Sequence, residues 1–131
     1  DGIRDKATWL EFRRVLFRSI ANSITFKTFI EEYNIKTIDF LKTDCEEGEY
    51  HIFNNENFFW IKENVKKIVG EWHLETPKSK EKFRIFRDTY LRLFPNCDVY
   101  SIDGTRIKWD LWNEHFIEYY KQIIVYIDNR N

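Results

Sequence analysis

A helical stripe that runs straight into a short apolar strand constrains this chain more than any other feature. Phe26, Phe29, Ile30 and Tyr33 recur at i, i+3, i+4 and i+7, the spacing of a helix laid on a core. Thr25 is placed to cap its start, and Asn34 before Ile35 suits a left-handed stop. Residues 38–43, IDFLKT, are mostly apolar and too few for a helix, so they read as a strand buried on both faces. A helix feeding such a strand is the signature of an α/β fold.

The alternation continues downstream. Asp44 and Glu47 have the spacing of a capping box, which predicts a second helix, interrupted at Asn54-Asn55 and resuming through Phe58, Phe59 and Ile61. Residues 66–74 (KKIVGEWHL) are the next strand, with Gly70 marking a bulge or a close approach. Residues 79–94 carry Phe83, Phe86, Tyr90 and Leu93 on one helical face, between Pro77 and Pro95. Asp103-Gly104 joins residues 98–102 to 105–109 as a hairpin. Residues 111–120 read as a helix and residues 122–128 as a β-branched strand. The predicted architecture is the C-terminal portion of a doubly wound, Rossmann-like sheet, mostly parallel, with an antiparallel strand or hairpin near its edge.

Length and charge bound what such a sheet can serve. The 131 residues suffice for one domain with a core, and an aromatic content of 18% against only four glycines predicts packing on aromatic anchors. A net charge of −1 lacks the basic footprint that nucleic acid or an anionic membrane requires. Cys45 and Cys97 have neither metal-site spacing nor the density of a disulfide scaffold, and no apolar run is long enough to span a bilayer. The expected setting is reduced and cytoplasmic.

Residues 1–19 differ in kind from the remainder. Their stretch LEFRRVLFRS, residues 10–19, resembles the reading-frame translation of a common sequencing-library adapter. On that resemblance residues 1–19 are a non-native segment and residues 20–131 the natural one. Trp9, Phe12, Leu16 and Ile20 would also fit an amphipathic helix, whether structural, membrane-surface or interacting. Without the segment the balance is sixteen basic against nineteen acidic residues, a net −3. Such a segment has no selected partner surface, so it is expected to pack on nothing and to leave strand 38–43 with an open edge.

Two constellations can carry chemistry. Asp44, Glu46, Glu47 and Glu49 crowd behind the first strand, where open α/β sheets bind ligands at the strands' carboxyl ends. Helix capping, with glutamates favouring the positive end of the dipole, accounts for the same residues structurally. Glu71 and His73 share one face of the next strand. A carboxylate there can orient an imidazole for proton transfer, and a packed histidine beside a hydrogen-bonded neighbour is the structural account. His51 and His115 lack matching partners, and no metal site is expected.

Together these segments resemble the FkbM family of methyltransferases. TFKTFIEEYNIKTIDFLKTDCEEGEYHIF is similar to the stretch in which a helix leads to a strand reading IDFLKID and then to an acidic D-x-E-G-x-E motif. KKIVGEWH resembles the next strand, ending in Gly-Glu-aromatic-His, and IIVYIDN the terminal one. The family glycine after the second acidic residue is here Glu47, with Gly48 following. The resemblance implies methyl transfer from S-adenosylmethionine, often to an oxygen of a small-molecule or carbohydrate-like acceptor. It places Asp44, Glu71 and His73 in catalysis and Glu46 and Glu49 in substrate binding or site shaping. The family's cofactor-binding elements lie upstream of the matching stretch, so residues 20–131 correspond to a C-terminal half. A non-catalytic α/β interaction module is the alternative, and a carboxylate hydrolase finds no nucleophile or metal ligands at recognisable spacing.

Overall fold

The computed structural model describes residues 9–13, as backbone, and 24–45, 48–107 and 110–130. The strand Trp9–Arg13 (β1) is followed by the helix Phe26–Glu32 (α1), the strand Ile38–Asp44 (β2) and a 3₁₀ turn at Gly48–His51. The helix Phe58–Asn64 (α2) runs directly into the strand Val65–His73 (β3). Then come the helix Pro77–Thr89 (α3), a 3₁₀ turn at Leu91–Leu93, and the strands Asn96–Tyr100 (β4) and Arg106–Ile107 (β5). The helix Glu114–Tyr119 (α4) and the strand Gln122–Asp128 (β6) complete the chain.

Local chemistry explains the boundaries. Thr25 accepts the amide of Thr28 at 3.0 Å and starts α1. Asn34 adopts φ 52° and Ile35 returns its amide to Ile30 O, which ends the helix. Thr76 caps α3 by accepting the amide of Ser79, with Pro77 inside the first turn, where no amide is needed. Gly104 takes φ 90° in the hairpin between β4 and β5.

The sheet order is β1-β2-β3-β6-β4-β5. The β1–β2 and β2–β3 pairs are parallel, whereas β3–β6, β6–β4 and β4–β5 are antiparallel. This corrects the expectation of a mostly parallel sheet. The hairpin does form the edge, but the antiparallel β6 is inserted between β3 and β4. Ile123, Val125 and Ile127 of β6 are at most 1% exposed, so the most β-branched strand takes an interior position where it buries most surface.

A second correction concerns β2. Its outer edge is paired over Trp9–Arg13 with Phe40–Asp44, so it is not an open edge. Such a ladder needs only backbone groups. Residues 1–8 and 14–19, the remainder of the adapter-like segment, lie outside the described residues.

The four described helices join into one layer. Phe26 of α1 meets Trp60 of α2 edge-on, Phe58 of α2 meets Tyr90 at the end of α3, and α3 is bound to α4 by ion pairs from Arg84 and Arg87 to Glu114. Stepping from β1 to β2 to β3 in one direction places both crossover helices on the same side for a single handedness. At the centre Trp72 stacks on Phe86, with centroids 4.1 Å apart and planes 22° apart, and Phe53 and Phe83 pack around the pair. Gly70 lies beneath this cluster in an unbroken ladder, so it marks a close approach and not a bulge. A side chain there would come within 2.7 Å of Thr43 Oγ1 and 3.1 Å of Trp72 Nε1.

Among the described residues no helix covers the other face. Strand β2 is therefore buried on one side only: Leu41 and Thr43 are enclosed, while Lys42 and Asp44 are half-buried. The expectation of burial on both faces fails because it presumes a layer on each side. No described helix is long and apolar enough to cross a membrane.

Candidate active site

Parallel pairing of β2 with β3 carries Asp44 and Glu71 to neighbouring positions at the carboxyl ends of both strands. Thr43 opposes Gly70 in the register, so the following residues, Asp44 and Glu71, both emerge on the uncovered face. The two carboxylates thus stand side by side at the strand ends, close enough for the charge of one to act on the other. Burial pushes the Glu71 carboxyl above its ordinary range, the negative charge of Asp44 pushes it further, and the nearby His73 and Lys42 oppose the rise. A carboxyl group held above its ordinary range in this way is able to hold and release a proton.

From β6, Gln122 donates a hydrogen bond to Glu71 Oε1. Gln122 stands directly opposite His73 in the antiparallel ladder and therefore diagonal to Glu71, within reach of a long side chain. Sequence reading missed this residue. Its signal was a polar residue opening a β-branched strand, which acquires meaning only once that strand is paired antiparallel to β3.

His73 shares the Glu71 face, as its spacing predicts. Its Nδ1 nevertheless lies 3.5 Å from Glu75, beyond the strand end, so Glu75 is its closest ion-pair partner. The pairing of imidazole with Glu71 is thereby reduced to a through-space influence.

The acidic turn behind Asp44 is held by a buried carboxylate. Glu49, only 1% exposed, folds its Oε2 back to accept the Cys45 amide at 2.8 Å. It thereby closes the turn that follows Asp44. Glu47, the expected cap partner, and Glu46 lie outside the described residues. The segment continues as the short 3₁₀ turn and reaches α2 through Asn54 and the buried Asn57, whose amide donates to Ile52 O. A single long helix is therefore not formed.

Burial first and the Glu49 charge second push the Cys45 thiol up to about 12; burial and Asp98 do the same for Cys97, also to about 12. Neither is a thiolate nucleophile at neutral pH. His51 and His115 are exposed, and no three His, Cys, Asp or Glu side chains among the described residues cluster as metal ligands.

The arrangement can bind a polar group at the ends of β2 and β3 and exchange a proton with it. No curated protein and no solved structure matches the chain. The methyltransferase FkbM domain matches it over residues 5–127, which spans β1 and nearly all of β6. The chain belongs to the FkbM methyltransferase family.

Proposed function

We propose that this domain serves S-adenosylmethionine-dependent methyl transfer to an oxygen of a small-molecule or carbohydrate-like acceptor, in a reduced cytoplasmic setting. The observation that carries the proposal is the neighbouring Asp44 and Glu71 carboxylates, set at the ends of adjacent parallel strands in a chain of this family.

The residues present do not fit the cofactor. Its phosphate-free adenosine and charged sulfonium need a glycine-rich turn for close backbone approach, yet residues 14–23, which follow β1, contain no glycine. Gly48 and Gly70 are both packed against their own surroundings. The cradle therefore belongs, on this proposal, to a cofactor half outside residues 20–131, and residues 1–19 are the non-native segment. S-adenosylmethionine supplies the methyl group when bound.

The chain's own residues act on the acceptor. An acceptor hydroxyl lying against the carboxyl pair donates its proton to the ionised member, which makes its oxygen a better nucleophile. Lys42, charged and on the same face, limits the negative charge that gathers there. His73 borders the acceptor, and Glu49 keeps the turn behind Asp44 closed.

Calorimetric titration of the 131-residue chain with S-adenosylmethionine is expected to show no saturable heat. In the domain joined to its cofactor half, Asp44→Asn should cut turnover on the order of 10²-fold with a small change in melting temperature. Tight cofactor binding by the short chain would overturn the placement of the cradle. Near-normal turnover of Asp44→Asn would return that residue to a structural role.

A further inference from the structure

The hydrogen bond from β6 to Glu71 has no counterpart in the acidic turn or the Gly-Glu-Trp-His strand, and it reaches Glu71 from a residue far along the chain. We propose that Gln122 is a positioning residue, whose side-chain amide holds Oε1 of Glu71 and leaves its second oxygen for the neighbouring strand end that carries Asp44. The inference rests on the carboxyl pair being the acceptor-side base.

Left alone, Glu71 can rotate about its terminal torsion, so either oxygen can meet Asp44. A primary amide beside it has two N–H donors. Engaging Oε1 with one of them fixes the plane of the group and leaves the remaining oxygen to take up or release the proton. The same donor favours the ionised form of Glu71 and so opposes burial and the Asp44 charge, which both favour the protonated form. Gln122 thus sets how readily the pair gives up its proton as well as where that proton points.

The other groups facing Glu71 are Asp44 and Lys42 from β2 and His73 on its own strand. Lys42 and His73 also favour the ionised form through their charge, while Gln122 reaches Glu71 Oε1 from its register position opposite His73. An aliphatic residue at position 122 would satisfy the β6 strand pattern equally well, so strand formation alone does not call for an amide here.

The test follows the Glu71 side-chain carboxyl by carbon-13 NMR through a pH titration of the full 131-residue chain, with Gln122→Met and Gln122→Glu beside the unaltered protein. Methionine keeps the length and removes the donor, so the Glu71 midpoint is expected to rise by roughly half a pH unit or more. Glutamate adds a third carboxylate and should raise it further. Neither readout requires cofactor, acceptor or turnover, so a failed methyltransferase assay and a failed positioning role are told apart. Should Gln122→Met not fold, the Gln122→Glu titration decides alone. An unchanged Glu71 midpoint in the variants that fold overturns the proposal.

Discussion

On the helix side of the sheet, Leu41, Ile68, Trp72, Ile123, Val125 and Ile127 are each at most 2% exposed. On the opposite side the same strands present Lys42, Asp44, Glu71, His73, Gln122 and Tyr126, all half-buried. The alternation of side chains along each strand generates both faces from one sequence. What separates them is the helix layer. Where helices cover the sheet, stability comes from apolar area and aromatic stacking. Where no described helix covers it, carboxyl groups persist in partial burial because neighbours on three strands hydrogen-bond or balance them. Stability and chemistry thus occupy opposite sides of a shared backbone, and substitutions should separate them.

The largest effect is expected on the covered face. Phe86→Ala removes the ring stacked on Trp72 and in contact with Phe53 and Phe83, and should cost about 3–5 kcal/mol of unfolding free energy in a denaturant titration. A loss below about 1 kcal/mol would show that the stack is not the centre of the core.

A much smaller effect is expected at the far edge of the sheet. Deleting residues 1–19 removes β1, which adds one parallel ladder to β2. If the adapter-like segment is non-native, the deletion should lower the melting temperature by no more than about 4 °C, on the order of 1 kcal/mol for a domain this size. Loss of the folding transition would instead make β1 an integral strand of the domain.

The elements that sequence revealed are those encoded by near neighbours. The Phe26-Phe29-Ile30-Tyr33 stripe, the Asp103-Gly104 hairpin and the β-branched run of β6 each carry their own period or turn chemistry. Strand order is not encoded that way. Inserting β6 beside β3 matches Ile123 to Trp72 and Val125 to Gly70, and such pairings join residues about fifty positions apart. The candidate site divides along the same line. Asp44 and Glu71 were legible as strand-end carboxylates, whereas their side-by-side placement, the Gln122 amide and the return of Glu49 to Cys45 all depend on how the chain closes in space.

The proton held by Glu71 links this geometry to pH. Its folded value is raised, so folding takes up a proton between the ordinary carboxylate range and that higher value. The contribution of Glu71 to stability is fully present below the ordinary range and is lost as pH rises through the folded value. Asp128, held down to about 2 by Arg130, works in the opposite sense, its contribution being present above the ordinary range and lost as pH falls toward 2.

The most direct measurement of the central claim, that burial and the Asp44 charge together hold the Glu71 carboxyl above its ordinary range on the uncovered face, is the Glu71 carboxyl titration in the unaltered chain and in Asp44→Asn. The pair predicts a Glu71 midpoint above the ordinary carboxylate range that falls when the Asp44 charge is removed. A Glu71 midpoint in the ordinary range, or one that Asp44→Asn leaves unmoved, would contradict it.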